Sequence, residues 1–212
     1  MNYTYCIWDF NGTILDDVEL GIYALNVLLK ESGIEKVVEK EEYRKLFGFP
    51  IIDYYREVGF DFEKTPYPRL AEDWVKIYLE NLDKAKLFFD VVDTFEFFKA
   101  KGIKQAVLSA SEKDILNMQI DMLDIRAHFE EIMGIDNIYG DSKLSLARDW
   151  RKRHPNDKVI FIGDTLHDIE TAEALSADCY IVSAGHQSRE RFEGYGVKVF
   201  DSLTELCRAL CN

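Results

Sequence analysis

Asp9, Asn11, Ser109, Lys143, Asp164 and Asp168 are the residues of this 212-residue chain whose types and spacing could do chemistry. Three carboxylates, a hydroxyl and a lysine make a set that can hold Mg²⁺ and a phosphoryl group. Mg²⁺ takes one or two carboxylates, keeps several waters and accepts a substrate phosphate oxygen. The hydroxyl and the lysine would hold the other oxygens as charge moves in the transition state. Taken singly, several of these residues have duller readings. Asn11-Gly12 is a common turn pair, Ser109 after a strand reads as a helix cap, and Lys143 is one lysine among many. Gly163-Asp164-Thr165-Leu166-His167-Asp168 after an apolar run is the strongest single element.

The elements that must position these residues follow from periodicity. Residues 3–8 read as a short strand broken by Asp9-Phe10-Asn11-Gly12-Thr13. Residues 17–30 carry Leu20, Ala24, Val27 and Leu28 at helical spacing, and Gly33 ends the pattern. Residues 39–82 continue as helical stretches punctuated by Gly48-Phe49-Pro50, Gly59 and Thr65-Pro66-Tyr67-Pro68. From there strands and helices alternate. Helices are expected over 90–101, 111–122 (capped by Ser111), 143–153, 166–175 and 203–210. Strands are expected over 105–108, 131–133, 159–162, 179–182 and 197–200. Such alternation implies right-handed crossovers and a parallel sheet. The expectation is an α/β protein with a Rossmann-like parallel sheet, residues 1–15 and 89–212, interrupted after its first strand by an all-helical domain, residues 16–88. Ligands of such sheets sit at the carboxyl ends of strands, where Asp9, Ser109 and Asp164 fall.

Composition narrows the functional class. Hydrophobic residues are 47% of the chain and charged residues 31%, so a substantial core is expected rather than disorder. A net charge of −13 argues against nucleic acid or an anionic membrane as partner, yet permits a phosphate ligand beside a metal ion. No apolar run approaches a membrane span, and the start has no signal-peptide pattern. Cys6, Cys179, Cys207 and Cys211 show no zinc-type pairs and read as reduced thiols, so a cytoplasmic location is expected. The sequence sets no oligomeric state.

The motifs together resemble the haloacid dehalogenase superfamily, most closely its phosphoglycolate-phosphatase-like branch with a helical cap. Trp8-Asp9-Phe10-Asn11-Gly12-Thr13, Leu108-Ser109-Ala110-Ser111, Lys143 and the run from Gly163 to Asp168 match its four motifs in order, and the likeness covers essentially the whole chain. Ser109 lies 100 residues after Asp9, Lys143 a further 34 and Asp164 a further 21, spacings that suit a member with a cap insert. The resemblance implies a phosphohydrolase of small phosphorylated metabolites with Asp9 as nucleophile, forming an aspartyl phosphate. It implies Mg²⁺ held by Asp9, Asp164 and the Asn11 backbone carbonyl, with Asp168 in direct or water-mediated support. Ser109, with Ala110 beside it, and Lys143 would bind the phosphoryl group, and Lys143 would offset charge on Asp9. The cap would exclude water and read the leaving group.

Position 11 departs from the family, whose phosphatases usually carry a second Asp there to protonate the leaving group and then activate water. An amide cannot shuttle protons at neutral pH. Three explanations follow. His167 or His186 supplies the proton; the protein is a slow or specialised hydrolase of activated phosphates; or it is a catalytically degenerate member that binds a phosphorylated ligand or protein partner. In the cap, Arg44, Lys45, Arg56 and Arg69 could meet a second anionic group, though basic residues are usually solvated. Phe47, Phe49, Tyr54, Tyr55 and Tyr67 could line an apolar wall, though aromatic residues at helical spacing are usually core. Asp16 and Asp17 read as the cap hinge and helix entry. Dehalogenase chemistry leaves Asp164 and Asp168 without a task, and a phosphonate-cleaving enzyme would need a cap lysine that cannot be assigned.

Overall fold

The computed structural model describes residues 2–211. Its centre is a six-stranded, wholly parallel sheet. In chain order its strands are β1 (Tyr5–Trp8), β4 (Lys104–Glu112), β5 (Glu131–Ile135), β6 (Val159–Gly163), β7 (Asp178–Val182) and β8 (Lys198–Phe200). They are arranged β5-β4-β1-β6-β7-β8. Two-residue strands β2 (Leu15–Asp16) and β3 (Lys86–Leu87) pair antiparallel beside it.

β1 shows why the sheet is buried on both faces. Cys6 and Trp8 pack into one core with Val107, Ile160 and Ile162. Tyr5 and Ile7 pack into the opposite core with Ala106, Leu108 and Phe161. Successive side chains point to opposite faces, so a strand covered on both reads as a continuous apolar run. The buried indole of Trp8 donates to Gln105 Oε1 (3.1 Å), and Gln105 donates to the Phe95 carbonyl (3.1 Å), so neither polar group is stranded. Helices α5 (Val91–Ala100), α6 (Lys113–Met122), α7 (Leu144–Arg153), α8 (Leu166–Ala174) and α9 (Leu203–Cys211) cover the two faces.

Between β2 and β3 lies a layer of four helices: α1 (Val18–Glu31), α2 (Lys40–Leu46), α3 (Ile51–Val58) and α4 (Tyr67–Glu80). They bury their own core of Val18, Leu25, Leu28, Tyr43, Tyr54 and Tyr55. The fold is therefore a Rossmann-like parallel sheet with an inserted helical cap. None of its described helices is long and apolar enough to cross a membrane. All four cysteines carry free thiols.

Two local expectations need correction. The strand expected to stop before Ser109 runs on through Glu112, with an irregular register between Leu108 and Glu112. Ser111 therefore does not cap α6. Glu112 does, accepting from the amides of Asp114 (3.0 Å) and Ile115 (2.9 Å). A carboxylate beside the helix's unpaired N–H groups gains from both the hydrogen bonds and the dipole.

Candidate active site

Chain order places the crevice. β1 leads out to β4 and β5 on one side, and β6 returns on the other, so the strand order reverses at the carboxyl end of β1. Asp9 follows β1, Ser109 sits in the outgoing part of β4, and Asp164 follows β6. Lys143 opens α7 and reaches across to the same point. The structure thus brings together all the residues expected from sequence at that one edge.

Carboxylate oxygens of Asp9, Asp164 and Asp168 lie within 4.8 Å of one another, all three buried. The Lys143 ammonium, only 2% exposed, binds Asp9 and sits 2.7 Å from Asp168. Asp168 Oδ2 accepts from the amides of Asp164 (3.1 Å) and Thr165 (2.8 Å) and from the Thr165 hydroxyl (2.7 Å). Asp168 therefore locks the turn after β6 as part of a capping box on α8. Asp164 accepts from the Thr13 hydroxyl (3.0 Å) and the His186 amide (2.6 Å). Two glycines make room for it. A Cβ on Gly12, whose φ is +73°, would collide with the Asp164 carboxylate and the His186 ring, and one on Gly185 would strike Asp164 and the Gly12 carbonyl.

Three acids share one lysine here, and the protonation pattern reflects it. Burial raises the Asp9 carboxyl well above its ordinary value, against the pull of Lys143. Burial likewise raises Asp164 to about 6. Asp168 is buried too, but Lys143 and the Thr165 hydroxyl hold it below the usual range. Burial opposes the charge on Lys143, yet Asp168 and Asp9 outweigh it and raise its affinity for a proton. The site carries surplus negative charge, all its donors are oxygen, and the Asn11 backbone carbonyl accepts no hydrogen bond among the described residues. That donor set suits a hard divalent cation.

Ser109 is buried beside this cluster. Its Oγ accepts from the Ser111 amide (3.0 Å), which leaves its proton free to donate. Asp9, Asn11, Ser109, Ala110 and Lys143 all border one cavity of about 170 Å³ that runs up into the cap.

Asn11 is held by three partners. Its amide donates to Asp17 Oδ2 (2.7 Å) and to the Tyr78 hydroxyl (3.1 Å), and its carbonyl oxygen accepts from Ser111 (2.7 Å). Asp17 begins α1 but caps nothing through its side chain. It accepts from the Gly12 amide (3.0 Å), Tyr78 (2.7 Å) and Asn11, and pairs with His186 Nε2 (3.2 Å). Burial opposes its charge, but His186 and these donors hold it low.

Neither histidine is a free proton donor. His167 is buried with Nε2 accepting from the Lys143 amide (3.3 Å) and Nδ1 beside Glu170 (3.1 Å), and it does not border the cavity. Burial and Lys143 lower its pKa, so it is neutral at pH 7. His186 is also buried rather than solvated. Burial works against its charge, but Asp17 overcomes this and raises it to about 9. Charged, it spends one N–H on Asp17 and the other on the Tyr43 hydroxyl (2.9 Å).

A fold and site of this kind define a hydrolase of phosphate esters. The family comparison agrees: residues 6–182 match the haloacid dehalogenase-like hydrolase model, and the chain belongs to that family. It is similar to the phosphoglycolate phosphatase of Aquifex aeolicus, 27% identical over 176 residues that cover 79% of this chain and 78% of the relative. It is also similar to pyrophosphatase PpaX of Listeria monocytogenes, 22% identical over 206 residues, 90% of this chain and 89% of the relative. Among solved structures, a haloacid dehalogenase-like hydrolase of Streptococcus pneumoniae shares the fold at a TM-score of 0.82 and 18% identity, across 99% of each chain.

Proposed function

We propose that the protein is a Mg²⁺-dependent phosphohydrolase of small phosphorylated metabolites, working through an aspartyl phosphate on Asp9. The observation that carries this reading is the convergence of Asp9, Asp164 and Asp168 on one buried point with Lys143 between two of them. Asp9, Asp164 and the Asn11 backbone carbonyl would hold the ion, with Asp168 in support. Bound there, Mg²⁺ supplies the charge that lets a phosphate dianion approach a cluster of carboxylates. Residues 16–88 serve as the cap over a core of residues 1–15 and 89–212.

In the first half-reaction the ionised Asp9 carboxylate attacks phosphorus, and the bond to the leaving-group oxygen breaks with its electron pair going to that oxygen. Lys143 pulls Asp9 toward its ionised form and, with the Ser109 hydroxyl, offsets charge on the phosphoryl oxygens. In the second half-reaction water attacks the same phosphorus, the Asp9–phosphoryl bond breaks, and inorganic phosphate leaves. Proton transfer at both steps falls to solvent, because Asn11 has no titratable proton and is fixed by Asp17, Tyr78 and Ser111. General acid–base help is worth roughly 10²–10⁴-fold, or about 3–5 kcal/mol. Leaving groups that are stable as anions lose least of this. The protein is accordingly a hydrolase of activated phosphates.

The reading is tested by mixing protein, Mg²⁺ and acetyl phosphate, quenching in acid and mapping the adduct by mass spectrometry. A phosphoryl group on Asp9 is expected, built up because the second step lacks its base. Phosphate release with no adduct on Asp9 at any quench time would overturn the covalent route.

A further inference from the structure

The cavity above Asp9 is walled by rings: Phe47, Phe49, Tyr54, Tyr55 and Trp74 border it, with Val75 beside them. Its volume, about 170 Å³, is close to that of an apolar protein cavity of roughly 150 Å³ known to admit benzene. No free cation faces it among the described residues. Arg44 turns its guanidinium to the carbonyls of Ser183 and Gln187, Arg56 pairs with Asp53, and Arg69 with Asp73 (2.8 Å). None of these, nor Lys45, borders the cavity. The two cations that do, Lys143 and His186, are committed to Asp9 and Asp168 and to Asp17. Glu112, capping α6, adds a further negative charge to the lining.

We propose that the leaving group is a single uncharged aromatic ring, so that the substrate is an aryl phosphate or an aromatic acyl phosphate, and that a second anionic group is refused. This rests on the phosphohydrolase reading above. Two separate features meet in it. The wall buries a ring and offers no counter-charge, so a carboxylate or second phosphate would be desolvated unpaired. Phenolate and carboxylate leaving groups carry their own negative charge, which suits a site whose Asn11 gives no proton. In each reaction water ends as the hydroxyl of phosphate and the proton of the released phenol or acid, so no co-reactant is required.

The test has two arms, both with Mg²⁺. The first compares kcat/KM for phenyl phosphate with 4-carboxyphenyl phosphate, and for benzoyl phosphate with acetyl phosphate, each pair having similar leaving-group basicity. The expected result is a preference for phenyl over carboxyphenyl on the order of 10²–10³-fold, and for benzoyl over acetyl of about 10-fold or more. In Val75→Lys the carboxyphenyl compound should recover against phenyl. The second arm needs no turnover: phenylphosphonate should bind at least 10-fold more tightly than phosphonoacetate by calorimetry. Equal or better use of carboxyphenyl phosphate, or equal or tighter binding of phosphonoacetate, overturns the proposal. Asp9-dependent turnover of phosphoglycolate without an aromatic preference would leave the hydrolase reading standing alone. Selective binding of phenylphosphonate without turnover of any compound would sink that reading and leave the ring site.

Discussion

The Asn11 amide donates to the Asp17 carboxylate across 2.7 Å, joining the loop after β1 to the first residue before the cap's leading helix. Tyr78 from α4 completes the triangle, bonding both residues. Position 11 is thus a tie between sheet and cap, where the family's usual second Asp would place a carboxylate against a carboxylate.

Asn11→Asp is expected to lower stability and raise activity together. The new acid faces Asp17 at hydrogen-bond distance, so its pKa in the folded state lies above its unfolded value. The folded form then binds the extra proton, and stability falls as pH rises through that raised pKa. Thermal melts should show wild-type-like stability near pH 4 and a loss of about 1–3 kcal/mol by pH 8. Turnover of an alkyl phosphate should gain about 10²-fold, and that of an acyl phosphate much less. Equal gains for both would contradict the assignment of the missing proton to position 11.

His186 gives a second pH signature in protein stripped of divalent cations. Its folded pKa, about 9, exceeds the ordinary 6.5, chiefly through Asp17. The resulting stability is fully present below pH 6.5 and is lost as pH rises to about 9. The shift corresponds to roughly 3 kcal/mol. His186→Gln should flatten stability over that window, as read by urea titrations at pH 6 and pH 9.

Metal binding should release protons. Burial raises the Asp9 carboxyl above its ordinary value and lifts Asp164 to about 6, and an ion at this cluster needs both ionised. Calorimetric titration of Mg²⁺ at pH 6 should give an apparent enthalpy that tracks the ionisation enthalpy of the buffer. Asp164→Asn should abolish the binding. Heat independent of buffer would mean the acids are already ionised.

How much of this was legible in sequence depends on whether a residue's partners are local. β1, β6 and α8 follow from their own periodicity, and Asp9, Asp164 and Asp168 sit in turns that the flanking runs define. Ser111, Tyr78 and His186 are hard to read because their partners are distant: Ser111 finds Asn11 from 100 residues away, and His186 finds Asp17 from 169. Nothing in a local window marks such a pair. Asp17, read as the helix entry, does open α1, and the signal for its further bonds is chemical, an acid shortly after a turn whose glycine has φ +73°. β2 and β3 leave no trace in the sequence, since two residues carry no period. Phe47, Tyr54, Tyr55 and Tyr67 are both cap core and cavity wall, whereas Phe49 borders the cavity without joining that core.

The cap is strapped to the sheet by Gln187, whose Nε2 donates to the Phe47 carbonyl (2.8 Å) while Oε1 accepts from the Leu166 amide (2.8 Å). Gln187→Ala leaves the Leu166 amide unpartnered, while the Phe47 carbonyl keeps Arg191 (2.6 Å), and should cost about 1–3 kcal/mol. Since Phe47 borders the cavity, KM should rise more than kcat falls. An unchanged KM would show that the strap does not shape the wall.

The central claim is that Asp9 is the nucleophile of a working phosphohydrolase. It is tested most directly by phosphate release from benzoyl phosphate in Mg²⁺, with wild type and Asp9→Asn side by side and melting curves to verify that both are folded. The account predicts wild-type turnover and a loss on the order of 10³-fold or more in the variant. Turnover of Asp9→Asn at the wild-type rate would contradict it.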